Sequence, residues 1–535
     1  MPPESFDYVI VGAGSAGCVL ANRLSESRRH SVLLLEAGGS DRRWDVRIPL
    51  AVSRLWPNPD LTWGFMSEPE AELGARQLPI ARGKLLGGTS SINGMLAIRG
   101  HRADYDGWRD TGLVGWGWDD VLPWFRKLER HWRGATDEHG DAGPVCIEPH
   151  PAPSPLMNNA IAAARALGFP ITDDFNGART DGFGMPDFTI HNGRRCSAAD
   201  AYLRPSASRP NLEIRTAATV TRVLLRNGRA EGVAYRRGGQ DFQVGARREV
   251  VLAGGAINSP QLLLLSGIGP GEALRALGIP VTADSPDVGA HLQDHPGAGL
   301  EFDLDPRLAF ERELRLDRLA AAFLRWLVAG RSVMGAPPLA ISANVATGNA
   351  SIEVDLHVLL VPLAMESRVW FPYLRQPYGP RLGALWSLNY PRSRGWVRLR
   401  SPDPLEPPRI AFRLLSDPLD RTAMLHGYRI VRRLLEQPAL ASVVGRIRRP
   451  TVDPVTDAEV LDYIRATAGT AYHPCGTCRM GADARAVVDG QLRVRAVGGL
   501  RVADASIFPR LPGGNTHLPV VMVAERAADF LIRSE

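Results

Sequence analysis

Three glycines near the start of the chain have a spacing suited to phosphate binding. Gly12, Gly14 and Gly17 form a Gly-x-Gly-x-x-Gly pattern between two apolar runs. In a strand–turn–helix unit, the first glycine allows a tight turn, the second allows backbone to approach a pyrophosphate, and the third allows close packing of helix on strand. Glu36 follows Gly17 by nineteen residues, where a carboxylate can accept a ribose hydroxyl. The pattern predicts a dinucleotide site and disfavours a 2′-phosphate.

Two further glycine-rich segments are less specific. In residues 82–95, two adjacent glycines precede three hydroxyl residues, so the chain could lie against a flat ring or a phosphate, or form a surface loop. Residues 254–269 read as a strand that turns through glycines into a helix ending at a glycine, which is ordinary helix-stop chemistry. Neither segment identifies a ligand by itself.

A Cys-x-x-Cys pair, Cys475 and Cys478, follows His473 and invites a metal interpretation. Zinc deaminases carry such a pair but also need His-x-Glu, and none of the twelve histidines is followed two residues later by glutamate. There is also no second Cys-x-x-Cys to complete a closed zinc site. We therefore expect no metal and interpret these small residues as tightly packed.

The bulk composition is that of an ordinary globular protein with two or more domains. The chain has 535 residues, 44% hydrophobic residues and a net charge of +6. Its basic residues are scattered, so we expect no nucleic-acid partner. No apolar run is long enough to span a membrane, five cysteines do not indicate a disulfide framework, and the early first strand leaves no room for a signal peptide. We expect a cytoplasmic protein.

The elements around the first glycine pattern cannot complete a sheet alone, so later strands must join them. Candidates are the apolar run at 249–253 and the run at 500–504, which is followed by a helical pattern from about 516 to 531. Between them, a helix-like stretch at 315–329 and alternating runs at 352–360 and 396–400 indicate an antiparallel sheet. We predict a discontinuous cofactor domain, residues 1–155, 195–299 and 465–535, interrupted by a substrate domain, residues 156–194 and 300–464.

The chain resembles the glucose–methanol–choline (GMC) family of flavin oxidoreductases in four motifs that occur in the family's order. These are the opening glycine pattern, the block from Gly83 to Asn93, the block from Gly254 to Gly269, and the C-terminal segments 473–481 and 504–517. The resemblance implies an α/β fold with a discontinuous Rossmann-like FAD-binding domain and a substrate domain built on an antiparallel sheet with helices. It implies oxidation of an alcohol by hydride transfer to flavin N5.

The resemblance also assigns cofactor residues one by one. Those expected to hold FAD are Gly12, Gly14, Ser15, Ala16, Gly17, Glu36, Ala37, Gly87, Thr89, Asn93, Gly94, Met95, Val220, Asp504, Ala505, Asn515 and Thr516. Some members of the family attach FAD through a histidine that corresponds to Ile92 here, so we expect non-covalent FAD.

Two polar residues face the flavin in this family, and they match His473 and His517. An alcohol has a pKa near that of water, about 15.7, and imidazole one near 6.5, so complete proton transfer before oxidation costs about 12 to 13 kcal/mol. The base must therefore act together with hydride departure, or a second group must stabilise the alkoxide. We assign His473 as the general base and His517 as the group that holds the oxygen; the reverse assignment stays open.

The substrate is predicted less sharply. Aromatic candidates for the substrate side are Tyr472, Trp370, Phe371, Tyr373 and Trp386, which favour an aromatic or furanic primary alcohol, although core packing explains them equally well. The alternatives are a choline- or sugar-type alcohol, or a non-redox lyase that uses the same pocket. The sequence leaves open oxygen or a quinone as electron acceptor, and also the oligomeric state.

Overall fold

Two large sheets organise the residues that the computed structural model describes, 4–347 and 354–533. The longer helices are Ser15–Glu26, Arg102–Asp110, Trp118–Leu128, Leu156–Ala166, Gly255–Leu265, Gly271–Ala276, Leu316–Ala329, Pro418–Leu435, Asp457–Thr467 and His517–Arg533. None of the described helices combines the length and apolar character needed to cross a membrane.

The first sheet is mainly parallel and contains the opening strand at its centre. Its strands, in spatial order, are Leu212–Arg215, Val32–Leu35, Ser5–Val11, Gln240–Leu252, Arg229–Arg237 and Ala218–Arg226, with Leu500–Val502 also paired to Gln240–Leu252. The four residues of Val32–Leu35 are all buried, as expected for a parallel strand covered on both faces. The first and last long helices, Ser15–Glu26 and His517–Arg533, pack against each other. Residues more than 480 positions apart thus share one cofactor-type domain.

The second sheet is antiparallel. Its strands, in spatial order, are Val444–Arg449, Pro296–Leu304, Arg381–Leu388, Leu356–Val361, Ile341–Val345 and Gly182–Gly184. Side chains of Arg381–Leu388 alternate between half-buried and buried, and the helix Pro418–Leu435 packs on that strand. The apolar residues of the antiparallel sheet and its packed helices form a second core, separate from the core of the first sheet.

One short pairing connects this sheet to the C-terminal motif. The two-residue strand Gly469–Thr470 pairs antiparallel with the start of Pro296–Leu304. Further along, the backbones of Gln293 and Cys475 exchange two hydrogen bonds of 3.0 Å. The segments 293–297 and 469–475 therefore run side by side, and side chains from both face the same region.

The predicted fold class is confirmed, and several predicted elements differ in detail. The helix predicted at 315–329 spans Leu316–Ala329, whereas residues 396–400 contribute only Trp396–Arg398, in a separate two-stranded sheet. The alternating run at 352–360 forms Leu356–Val361, and residues 352 and 353 lie outside the described residues. The strand Pro296–Leu304 belongs wholly to the antiparallel sheet, so the predicted boundary at residue 299 falls inside a strand.

Candidate active site

The first glycine loop is so tight that two of its positions admit only glycine. Gly12 has a φ of +98°, and a Cβ there would lie 2.7 Å from a backbone carbonyl oxygen. A Cβ on Gly17 would overlap the carbonyl oxygen of Gly12. The helix Ser15–Glu26 starts directly from this loop, and its first backbone N–H groups, that of Ala16 among them, have no acceptor within the helix. These donors and the helix dipole form an anion site.

Glu36 joins the ends of two adjacent parallel strands. Its Oε2 accepts a hydrogen bond from the Ala13 N–H and its Oε1 one from the Gly38 N–H, both at 2.8 Å, so Ala37 lies in a closed turn. Burial raises the pKa of Glu36 to about 7, although these two bonds and Lys84 favour the ionised form. Each carboxylate oxygen retains a lone pair for a further donor.

The second glycine segment packs directly on the first. The Gly87 N–H donates to the Ala13 carbonyl oxygen at 2.8 Å, and a Cβ on Gly88 would lie 2.7 Å from the Cα of Gly14. Residues Gly88–Ser91 form a short 3₁₀ turn. The structure thus brings together two glycine patterns that lie more than seventy residues apart in the chain.

Arg195 fixes this second segment. Its Nη1 donates to the carbonyl and side-chain oxygens of Asn93, each at 2.7 Å. The guanidinium is buried, and desolvation lowers the pKa of Arg195 to about 9. Its Nη2 has no hydrogen-bond partner among the described residues. A buried cationic group with an unsatisfied donor suits an anionic ligand.

The other predicted cofactor residues of the second glycine segment are Thr89, Gly94 and Met95. Thr89 Oγ1 accepts from the Gly83 N–H at 3.1 Å, and Gly94 separates Asn93 from Met95. Met95 has a φ of +64° and is buried.

Asp504 ties the C-terminal motif to the third glycine segment. Its Oδ2 accepts from the Gly255 N–H at 2.8 Å and from the Ser259 hydroxyl at 2.6 Å, and its Oδ1 accepts from the Ser506 N–H at 2.8 Å. Burial raises the pKa of Asp504 despite these bonds. Ala505, the next residue, accepts at its carbonyl from the Gly476 N–H at 3.2 Å.

Two other predicted cofactor residues, Val220 and Thr516, lie near the start of a strand and just before the start of a helix. Val220 lies in the strand Ala218–Arg226, next to a register shift, and the Ala218 N–H donates to the Glu36 carbonyl at 2.8 Å. Thr516 precedes the last helix, and its carbonyl accepts from the Val520 N–H at 3.1 Å.

The His473 ring lies between two polar side chains. Its Nδ1 is 3.0 Å from His295 Nδ1, and its Nε2 is 3.1 Å from Asn515 Nδ2. Its backbone N–H donates to Asp294 Oδ1 at 2.9 Å. Desolvation, with the nearby His295 and Arg82, lowers the pKa of His473 well below its usual value. The ring is therefore neutral at ordinary pH, as a proton acceptor must be.

The ring of His517 contacts the dinucleotide loop through one of its two nitrogens. Its Nδ1 lies 3.0 Å from Ser15 Oγ, in the dinucleotide loop. Desolvation and the charge of Arg195 lower the pKa of His517 to about 4. Within the described residues, the hydrogen-bond partners of the His473 ring are His295 and Asn515. The convergence of His473 and His517 on one substrate oxygen stays a prediction.

Sequence reasoning missed His295 and Asp294 and gave Asn515 only a cofactor role. The antiparallel pairing of 293–297 with 469–475 brings His295 to His473, and no local pattern in either segment announces that pairing. The signal for Asn515 was present, since it lies in the same C-terminal motif as His517.

The five predicted aromatic residues lie in different environments. Tyr472 precedes His473 in the chain, and its ring lies 5.5 Å from that of Trp56. Trp370 donates its ring N–H to the Glu311 carbonyl at 2.9 Å, and Phe371 bonds through its backbone to Arg375. The other two candidates, Tyr373 and Trp386, are respectively fully exposed and fully buried in the second core. Of these five aromatic residues, Tyr472 is next to His473, as its neighbour in the chain.

Known proteins similar to this chain show its family. The sequence matches the two family domains described as GMC oxidoreductase over residues 6–297 and 391–524. It is 40% identical, over 99% of this chain and 93% of the relative, to the oxygen-dependent choline dehydrogenase of Paraburkholderia phymatum. The chain belongs to the GMC oxidoreductase family.

Solved structures of two oxidases are similar to this structure over nearly the whole chain. Pyridoxine 4-oxidase from Mesorbium loti has a TM-score of 0.87 and 33% identity, with 98% of each chain covered. A formate oxidase, of which related structures come from Aspergillus oryzae, has a TM-score of 0.92 and 26% identity, with 100% of this chain and 99% of the other covered. The protein is an FAD-dependent enzyme that oxidises alcohols at CH–OH groups.

Proposed function

We propose that the chain oxidises a neutral primary alcohol, with aromatic or furanic alcohols as the favoured class, and that His473 and Asn515 hold its hydroxyl group. The observation that carries this proposal is the 3.1 Å contact between His473 Nε2 and Asn515 Nδ2. A hydroxyl oxygen placed between these atoms would have an acceptor for its proton and a donor for its developing negative charge.

The hydrogen bonds favour one tautomer of His473. An amide nitrogen only donates, so Asn515 Nδ2 facing His473 Nε2 leaves a lone pair at Nε2 and the proton at Nδ1. That proton is donated to His295 Nδ1, 3.0 Å away. His473 Nε2 is then the basic atom, and its low pKa requires the hydroxyl proton to move as the hydride departs.

The residues around both glycine segments fit non-covalent FAD. The helix start at Ser15 and the unpartnered Arg195 Nη2 suit the pyrophosphate, and Asn515 Oδ1 is a further buried atom with no partner among the described residues. Ile92, at the position of covalent attachment in some relatives, has no nucleophilic atom. Bound FAD supplies the hydride acceptor. His517, bonded to Ser15, acts in this proposal on the cofactor side.

The charges near His473 support a neutral substrate. Asp294, the nearby carboxylate, accepts hydrogen bonds from Thr470 and from the His473 backbone, and burial raises its pKa to about 6. Arg82 adds a positive group whose Nη2 donates to the Tyr472 carbonyl at 2.6 Å. Asp294 and Arg82 carry opposite charges that offset each other, so these groups favour no charged substrate, and the rings of Tyr472 and Trp56 offer apolar contact.

Choline is the second candidate, because the 40% identical relative carries that substrate in its name. The electron acceptor, oxygen or a quinone, and the oligomeric state are untested. Location in the cytoplasm remains a prediction from the sequence.

The decisive experiment is anaerobic mixing of the purified flavoprotein with benzyl alcohol, furfuryl alcohol, pyridoxine and choline. We expect bleaching of the flavin absorbance by the neutral aromatic alcohols at a higher kcat/KM than by choline. Faster reduction by choline would refute the substrate class, and no bleaching with any alcohol would refute the oxidation. Repeating turnover with oxygen and with a quinone dye identifies the acceptor.

Variants separate the two possible partners of His473. Asn515→Ala should lower kcat about 10²- to 10³-fold, as expected for a lost oxyanion donor. His517→Ala should mainly weaken FAD retention, seen as free flavin after gel filtration. If His517→Ala lowered the rate of flavin reduction more than Asn515→Ala did, the assignment of Asn515 would be wrong.

A further inference from the structure

Two cysteines outside the proposed active site lie side by side. Cys146 is in the strand Val145–Ile147, and its N–H points at Cys196 Sγ at 3.4 Å. Both side chains are free thiols and are about 95% buried, with 4% and 5% of their surface exposed. The two residues are fifty positions apart, so the fold creates this proximity.

A guanidinium completes the cluster. Arg130 is the register partner of Cys146 in a parallel pair of short strands, and its Nη2 lies 2.7 Å from Cys146 Sγ. A cation and a thiol donor at one sulfur stabilise its thiolate. The neighbouring Cys196 and Arg130 lower the pKa of Cys146, whereas the pKa of Cys196 is raised by the charge it faces and by burial.

The thiol pair is reached from a large cavity. This cavity has a volume of about 1320 Å³, and its wall includes both cysteines together with Arg126, Arg130 and Arg194. Arg126 and Arg130 are exposed to solvent, so a small polar molecule can approach the sulfur atoms from this side. The cavity lies apart from His473 and Asn515, neither of which lines it.

The other three cysteines offer an internal comparison. Cys18, Cys475 and Cys478 are buried, and burial raises the pKa of each thiol. All five cysteines belong to the core of the first sheet, but these three do not line the cavity. Only the Cys146 environment combines a cation, a second thiol and an access route.

We propose that Cys146 and Cys196 are an oxidation site at which hydrogen peroxide forms an intramolecular disulfide. In the first step the Cys146 thiolate attacks one peroxide oxygen, the O–O bond breaks, and the leaving hydroxide takes up a proton as water. In the second step the Cys196 thiol loses its proton and its sulfur attacks the sulfenic sulfur of Cys146. The S–O bond breaks and a second water leaves, so two thiols give two electrons and two protons to one peroxide.

The position of the thiol pair connects this oxidation to the second glycine segment. Cys196 directly follows Arg195, which holds Asn93, and the Cys196 N–H donates to the Thr189 carbonyl at 3.0 Å. Thr189 in turn donates its N–H to the Met95 carbonyl at 2.8 Å. The proposed disulfide would therefore form at a residue anchored to the second glycine segment.

Peptide mapping of the holoprotein tests the proposal. The reduced protein is treated with hydrogen peroxide, alkylated while unfolded, and digested without reducing agent. We expect a peptide pair joined through Cys146 and Cys196, with Cys18, Cys475 and Cys478 recovered as alkylated thiols. If Cys146 is oxidised no faster than Cys18, or if no joined pair appears, the proposal is overturned without any variant.

Two variants examine the chemistry of each step. Cys196→Ser should abolish the joined peptide and leave a sulfenic acid on Cys146 that dimedone traps. Arg130→Met should slow the oxidation of Cys146 about tenfold at pH 5, which lies below its pKa of about 6, because loss of a neighbouring cation raises a thiol pKa by about one unit or more. An unchanged rate in Arg130→Met, or dimedone labelling elsewhere than Cys146 in Cys196→Ser, would contradict the proposed nucleophile.

Discussion

Replacing Asn515 by aspartate tests the proposed base through its pH dependence. The side chain keeps its size and position, but a carboxylate oxygen now lies near His473 Nε2, where the amide nitrogen is at 3.1 Å. At an effective dielectric constant of about 20, opposite charges at this separation attract by about 5 kcal/mol, which corresponds to an increase of about 4 units in the pKa of the imidazole. Incomplete ionisation of a buried carboxylate makes this an upper bound.

The sign of the effect follows from the role of the ring. A base works only when unprotonated, so kcat/KM falls below the pKa of His473. That pKa is well below its usual value, and the kcat/KM of the wild-type enzyme should be insensitive to this group at neutral pH. In Asn515→Asp the acid limb should move upward, toward neutral pH.

The assay is the rate of anaerobic flavin reduction by benzyl alcohol across the pH range. Asn515→Ala is the matched control, because it removes the amide without adding charge and should lower the rate with no upward movement of the acid limb. The same acid limb in Asn515→Asp and Asn515→Ala would refute the reasoning that His473 Nε2 is the base facing Asn515.

Three further predictions concern stability. Burial raises the pKa of Glu36 to about 7, so in the FAD-free protein this residue contributes stability at pH 4.5 that is lost as the pH rises through 7, by about 3 kcal/mol. Glu36→Gln should lack this loss of stability between pH 4.5 and pH 8 in urea unfolding, and an equal loss in the variant would contradict the prediction. Arg99→Met strands the buried Glu129 and should cost about 3 to 5 kcal/mol in urea unfolding, a prediction that a loss below about 1 kcal/mol would refute. Burial alone would lower the pKa of His139, but bonds to Asp174 and Glu129 raise it to about 9; its stabilising effect is complete below pH 6.5 and lost as the pH rises through 9, and this slope should be absent in the melting temperatures of His139→Gln.

The contacts of the first glycine loop were predictable because their signals are local. Gly12 and Gly17 serve a turn and a helix contact that lie within a few residues of them, and the structure has those contacts. The fold class and family followed from motif order. The predicted boundary at residue 299 falls within the strand Pro296–Leu304, because the sequence shows no change of composition where this strand begins.

The contacts of the His473 ring were less predictable because its partners are distant in sequence. His473 was singled out by its motif, but its contact with His295 depends on the antiparallel pairing of two segments about 180 residues apart.

The sequence by itself determined a dinucleotide loop, a discontinuous α/β fold and a C-terminal motif that carries polar residues. Only the tertiary structure decided which of those residues meets His473. His517 begins the last helix and Asn515 precedes it. Because side chains two positions apart at a helix start face different directions, the His517 ring contacts Ser15, whereas the Asn515 amide contacts His473. The residue types of this motif belong to the sequence, whereas the direction of each side chain is set by tertiary packing.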